Sequence, residues 1–411
     1  MSLRFFKHWA VKLEPWLVIF IILGLFGVKA HPLIDKGLTA AGYAILPVLM
    51  IGQWKKWIYV ATLDIPVLLL VLMPTVSAIW STSAVDSLDF SKGTIRASLW
   101  GIYLATSYSL KGQMQIFTWV FGIGTVLSLV LTLGLPGYGI EGTGEWIGIY
   151  EYKNQASLMM ALAAILFLLK ALNQQHHNWI YWTLFSLAIV QLVLTEGKTC
   201  YAIFANSLFL LPLYNSIKQN QYKLRIFLVI IISLILGTST VLIFQNLEFI
   251  IVDTLGKDMN FNGRTEIWTL VMDKVQERPW LGYGASGFWG SKHALYVIYH
   301  TWASSSGEVG IGPGKIKFNA HSGYLDFLLQ YGWVGGGLMI YSCLTIIWRV
   351  VALLAATGKI EAFWMMQTLI AILLVNVTER LGLVHYSTLW TIHVAIALST
   401  ALEQKRLHKP N

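Results

Sequence analysis

Residues 154–171 read NQASLMMALAAILFLLKA, an apolar stretch with a single charge, Lys170. A bilayer core about 30 Å thick takes about 20 helical residues to cross, so this stretch reads as a transmembrane helix. Comparable runs extend outward from it in both directions, near 15–30, 38–52, 62–80, 93–109, 114–134, 179–195, 198–216, 224–245, 322–348, 360–378 and 388–402. The chain has 411 residues, of which 56% are hydrophobic and 12% charged. A soluble domain carries about 25% charged residues, and no soluble core absorbs so many apolar runs. The expected fold is all-α, a polytopic membrane protein of about twelve transmembrane helices with a large folded periplasmic loop. The expected division is 1–246 for helices one to nine, 247–320 for the periplasmic loop domain, and 321–411 for helices ten to twelve with a cytoplasmic tail.

The net charge of +9 would suggest nucleic acid in a soluble protein. Here the basic residues sit mostly in short turns between apolar runs, where they set orientation in the bilayer, and nucleic acid is excluded as a partner. With the N-terminus cytoplasmic, the inner turns hold Lys55, Lys56, Lys111, Lys170, Lys218, Lys223, Arg225, Arg349 and Lys359, and the tail holds Lys405, Arg406 and Lys409. The opposite orientation reverses that bias, so both termini are expected in the cytoplasm of a bacterial inner-membrane protein. The first run follows Arg4, Lys7 and Lys12 as a signal sequence does, but no small-residue cleavage site follows, and it reads as a retained helix. Trp54, Trp57, Trp80, Trp119, Trp179 and Trp348 fall at span ends, as an interfacial aromatic belt requires. Cys200 and Cys343 read as packing residues.

The pattern breaks between Leu247 and Ala320, where no clean span occurs. This outer loop carries Trp268, Trp280, Trp289, Tyr296 and Trp302, so it is expected to fold as a cap on the membrane domain. Ile267, Leu270, Val271 and Val275 have the spacing of an amphipathic helix over Arg264–Gln276, ended by Pro279 and a glycine cluster. Gly282-Tyr283-Gly284-Ala285-Ser286-Gly287 formally matches G-x-G-x-x-G, but it follows no strand and opens no βαβ unit. It reads as a glycine-rich turn.

His321 stands where this loop re-enters the membrane, before Ser322-Gly323-Tyr324-Leu325-Asp326. The positive end of a helix dipole disfavours imidazolium, and a neutral imidazole suits a general base. The free N–H groups there also favour an anion such as phosphate. The competing reading is an interfacial His bonded only to backbone. Arg264 offers a planar fork of donors matched to phosphate oxygens, against a surface Arg paired with Glu266. Lys198 and Lys153, beside Asn154, lie at outer span ends against the charge bias, and snorkelling to headgroups competes there with a role in binding. No paired-cysteine, H-E-x-x-H or carboxylate pattern points to a metal.

In this order the pieces resemble the O-antigen ligase and polymerase superfamily, exopolysaccharide polymerases included. The family pattern is His, then Asn, Ser or Gln, nine residues, Gly, two residues, and Gly, Thr or Tyr; His321-Ser322 is followed by Gly332 and Gly335 at that spacing. Gly263–Trp268 and Arg278–Gly284 are similar to the family's loop signature, and Tyr152-Lys153-Asn154 to its Lys-Asn element. One departure is Gly197-Lys198, where the family often has Ser-Arg.

The resemblance implies a glycan donor on polyprenyl pyrophosphate and an acceptor sugar hydroxyl, either on another lipid-linked repeat or on a lipid A-core type acceptor. It implies an inverting, metal-independent glycosyltransferase with no cofactor. His321 would be its base, Arg264, Lys198, Lys153 and Asn154 would hold pyrophosphate, and Glu266, Arg278, Ser322 and Asp326 would support them. The alternative is a transporter or flippase of lipid-linked glycans. Such proteins place functional charges near the midplane, where Asp64 is the main candidate.

Overall fold

The computed structural model describes residues 3–25, 32–173, 178–218, 264–301, 318–380 and 388–407. The span expected at 224–245 and the loop residues 247–263 and 302–317, Trp302 among them, lie outside the described residues. Among the described residues the chain is nearly all helical and forms no strand. The helices are α1 Leu3–Leu25, α2 Pro32–Ile51, α3 Trp54–Ala61, α4 Ile65–Ser77, α5 Ala84–Ser107, α6 Leu110–Gly134, the single turn α7 Pro136–Gly139, α8 Lys153–Asn173, α9 Asn178–Leu194 and α10 Lys198–Lys218. After the loop come α11 Arg264–Glu277, α12 Lys292–Tyr299, α13 Gly323–Thr357, α14 Ile360–Thr378 and α15 Thr388–Leu407.

Four of these, α6, α8, α13 and α14, are long and apolar enough to cross a membrane, or five if one bent pair counts as a span. The expected count of about twelve is not established by them. Several expected spans form helices but fall short on length or composition. The helix α9 has only 17 residues, and α5 carries Asp86, Asp89, Lys92 and Arg96.

The run from Trp57 to Trp80 does not form one continuous span. It breaks at Thr62–Asp64, where the axis turns by 106° into α4. Pro66 near the start of α4 supplies no N–H to an earlier carbonyl, while the Asp64 carboxylate accepts the Val67 N–H at 3.1 Å and caps the new helix. Asp64 is fully buried and ion-paired with Arg349 of α13. Trp57 departs from the aromatic belt, because it is buried against Tyr103 with ring centroids 5.3 Å apart.

Small and hydroxylated residues let α5 and α15 approach closely. A side chain at Gly101 would meet Val394 at 2.7 Å, Trp390 Nε1 donates to Ser98 Oγ at 2.7 Å, and Thr391 Oγ1 donates to the Ala97 carbonyl at 3.0 Å. Such close-packed small residues with hydrogen bonds across the interface are how helices associate without a hydrophobic driving force. Cys200 and Cys343 are free and buried, as packing residues should be.

The loop residues build a second, smaller core. Ile267, Val271 and Val275 of α11 and Ala294, Val297 and Ile298 of α12 are buried with Phe288, Trp289 and Leu329. The amphipathic spacing thus marks α11 correctly, and its buried residues face this core. The link to the main bundle is a break in α13. Gly332 adopts φ 60, ψ −164, which interrupts the helix and leaves backbone groups unpaired on both sides of it. The loop satisfies them: Trp333 N–H donates to the Pro279 carbonyl at 2.7 Å and Val334 N–H to that of Trp280 at 3.2 Å. In return Tyr283 N–H donates to the Leu329 carbonyl at 2.8 Å and Gly284 N–H to that of Gln330 at 2.9 Å.

The glycine-rich turn is wedged from its other side by the α4–α5 connection. Trp80 Nε1 donates to the Leu281 carbonyl at 2.9 Å, Thr82 Oγ1 to that of Gly287 at 2.6 Å and Ser87 Oγ to that of Ala285 at 2.6 Å. Gly284 takes φ 83 with no room for a side chain beside Ser81. The formal G-x-G-x-x-G is a clasp between two parts of the bundle.

Candidate active site

At the end of the bundle that carries the loop, the starts of α8, α10 and α13 meet the end of α14. Asn154 Nδ2 donates to Glu379 Oε1 at 2.9 Å, and the Glu379 carbonyl accepts the Gly323 N–H at 3.2 Å. Glu379, just past α14, therefore ties the Lys153-Asn154 element to the segment that follows His321. Thr199 and Thr378 pair through their hydroxyls at 2.9 Å, which joins α10 to the same point. Gly197 has its Cα against the Ser157 side chain, leaving no space for a Cβ. The starts of α8 and α10 are side by side for that reason. Three helix N-termini thus lie in one region, and N-termini present free N–H groups and positive dipole ends to anions.

Among the described residues three hold a left-handed backbone without being glycine: Ser286 at φ 54 in the glycine-rich turn, and His321 at φ 48 and Glu196 at φ 53 beside the helix starts. This conformation is costly for a residue with a side chain and persists where surrounding structure enforces it, most often at sites. At His321 the enforcement is visible. Its N–H donates to Asn319 Oδ1 at 2.7 Å, and Trp268 Nε1 donates to the Ala320 carbonyl at 2.9 Å. Phe318 stands edge-on to the imidazole with centroids 6.2 Å apart. The Ser322 Oγ caps α13 by accepting the Leu325 N–H at 3.5 Å.

Asp326 is buried one turn into α13. Its Oδ1 accepts Trp289 Nε1 at 2.6 Å and the Ala320 N–H at 3.4 Å. Arg380 Nε lies 3.2 Å from Oδ2, a charge contact without hydrogen-bond alignment. Asp326 therefore fixes the backbone next to His321. Arg380→Met is expected to cost about 3–5 kcal/mol, because it leaves a buried carboxylate without its counter-charge. A melting measurement checks this, and Asp326→Asn added to Arg380→Met should recover part of the loss.

Lys153 Nζ contacts Glu145 Oε1 at 2.6 Å. The Lys153 ammonium, with help from the Thr143 hydroxyl, holds the Glu145 carboxyl down to about 2. A carboxyl whose pKa falls on folding stabilises the fold above its ordinary range, and the contribution disappears as pH falls through the folded value. Glu145→Gln should therefore melt below wild type at neutral pH, with the gap closing as pH approaches about 2.

The remaining expected residues are spread more widely. Lys198 opens α10, is exposed, and has no partner among the described residues. Arg264 opens α11, but its side chain lies outside what is described. Glu266 is exposed on α11. Arg278 stacks over Tyr283 at 4.9 Å, a cation–π contact within the loop. Glu379 and Arg380 escape the sequence reading; their signal is a pair of charges at the end of an apolar run. Among the described residues no group of three or more His, Cys, Asp or Glu could hold a metal ion.

Residues 153–340 match the family model described as O-antigen ligase. This match, over somewhat less than half of the chain, supports the O-antigen ligase and polymerase superfamily. Members of that superfamily are glycosyltransferase-type enzymes, which implies a lipid-linked glycan donor and a glycan acceptor in a membrane. The O-antigen ligase match begins at Lys153 and ends in α13 beyond Gly332 and Gly335. It takes in the clasp, His321 and the N-termini of α8, α10 and α13, and stops short of Glu379 and Arg380. A comparison with curated proteins returns no match.

Proposed function

We propose that this protein transfers a glycan from polyprenyl pyrophosphate to an acceptor sugar hydroxyl at the periplasmic face of the inner membrane, with His321 as general base. The observation that carries this is the pair of bonds at Glu379, from Asn154 to its carboxylate and from Gly323 to its carbonyl. Together with the Thr199–Thr378 contact from α10, they support a site lined by the Lys153-Asn154 element, the start of α10 and the His321 segment. In the reaction the acceptor oxygen attacks the anomeric carbon as its proton passes to His321, and the bond to pyrophosphate breaks. Attack opposite the leaving group inverts the anomeric centre. Charge growing on the departing pyrophosphate is met by helix N-termini and by lysine, an arrangement that stabilises where charge develops. Lys198 has its charge at hand there, whereas Glu145 engages Lys153; Arg264 would add a bidentate contact.

The transporter reading has less support, because Asp64 already caps α4 and pairs with Arg349. The test is purified protein with a polyprenyl-pyrophosphate oligosaccharide and no added nucleotide. Release of lipid together with a longer or transferred glycan supports the proposal. A ladder formed from donor alone would mean polymerase, and dependence on a separate acceptor would mean ligase. No turnover with several donors, alongside flipping in vesicles, would overturn the enzyme reading.

A further inference from the structure

A groove of about 740 Å³ runs between α2 and α5, outside the site described above. Its floor and walls are Leu46, Pro47, Met50, Ile51, Trp54 and Leu99, and at one end stand Tyr43, Lys92 and Arg96. Asp89, Lys92 and Arg96 follow each other at spacings of three and four, so they share one face of α5. The other side of that helix, with Phe90, Thr94 and Ala97, is buried in the bundle. Asp89 neutralises Lys92 at 2.7 Å. Arg96 has no carboxylate partner among the described residues, only the Tyr43 ring under its guanidinium at 4.8 Å. Its Nε is buried and makes no hydrogen bond among the described residues. Among the described residues the net result is one cation at the head of an apolar trough.

We infer that this groove holds one anionic phospholipid of the surrounding bilayer, its phosphate on Arg96 and Lys92 and an acyl chain against Leu46, Met50 and Leu99. The charge decides the head: after the Asp89–Lys92 pair cancels, one positive charge is left for one phosphate with a net negative charge, and a zwitterionic lipid offers no such match. The length decides the tail. From Tyr43 to Ile51 the groove follows about 12 Å of helix, close to one leaflet's half of a core about 30 Å thick. A long isoprenoid would overrun it.

The experiment is native mass spectrometry of the full-length protein with phosphatidylglycerol and phosphatidylcholine of identical chains. Wild type should prefer phosphatidylglycerol by about fivefold, the worth of one cation near an anionic lipid. Arg96→Gln should bring the ratio close to one, while Arg96→Lys should keep most of it. Leu99→Trp fills the trough without changing charge and should reduce retention of both lipids. Should Arg96→Gln fail to fold, Lys92→Gln, at an exposed position, leaves Asp89 uncompensated and should likewise abolish the preference. Equal retention of the two lipids by wild type overturns the inference, as does a preference that survives both charge substitutions. Displacement of phosphatidylglycerol by an equimolar polyprenyl phosphate overturns it too, by assigning the groove to the isoprenoid.

Discussion

His321→Ala is expected to lower glycan transfer by about 10²–10⁴-fold, the usual worth of a positioned general base. The loss should fall on the chemical step, read as single-turnover release of lipid. Donor binding should change little, since helix N-termini and lysine hold the pyrophosphate in the proposed mechanism. The fold should survive the substitution. The contacts that fix this turn, the His321 N–H to Asn319 and the Ala320 carbonyl to Trp268, are made by backbone groups. The left-handed φ of 48 costs alanine somewhat more than histidine, which is enriched in that region, but the penalty stays about 1–2 kcal/mol. His321→Gln keeps a hydrogen-bonding side chain but cannot take the proton, and should be as inactive as the alanine variant. A well-folded His321→Ala protein retaining more than about a tenth of wild-type rate would remove the base from the mechanism.

The largest structural effect is expected at Gly332. Gly332→Ala should destabilise the protein by about 3 kcal/mol or more, because a side chain has to be forced into a backbone conformation used almost only by glycine. The new methyl would also collide with the Trp280 and Pro279 carbonyls. Those two carbonyls accept the N–H groups of Trp333 and Val334, so relief of the clash breaks the bonds that dock the loop. The expected signature is a lower melting temperature together with faster proteolysis of the segment around Pro279–Gly287. Gly337→Ala is the control: nothing lies within 4 Å of its would-be Cβ, and alanine is the better helix former by about 1 kcal/mol. If the two variants melt alike, the docking role of the Gly332 break is refuted.

The match between His321, Gly332 and Gly335 shows how much of the site could be read from sequence. The spacing was visible, and so were the Lys153-Asn154 and Lys198 positions at span ends, because each is local. Its meaning differs from residue to residue. His321 stands in the loop beside the other helix starts, whereas Gly332 is a structural break whose purpose appears only with residues 279–284 laid against it. Asp326 reads from the sequence only as a supporting residue; burial with Trp289, Ala320 and Arg380 makes it the fixture of the loop. Glu379 could not be found from sequence, since its partner Asn154 lies 225 residues away and a Glu after an apolar run reads as an ordinary solvated end.

Apolar runs and scarce charge determine by themselves that the chain is helical and membrane-bound, because bilayer burial and helix period are written residue by residue, and the order of short motifs makes it similar to this superfamily. The tertiary structure decides what depends on packing. Asp64 and Pro66 turn one long apolar run into two helices at 106°, and the charged face of α5 is tolerated because the opposite face is buried in the bundle. The starts of α8 and α13 bond Glu379, and α10 joins them at Thr378 because Gly197 and Thr199 let it close against α8 and α14. Hydropathy sums the tendencies of neighbours along the chain, while a site is made of contacts between residues that are distant in it.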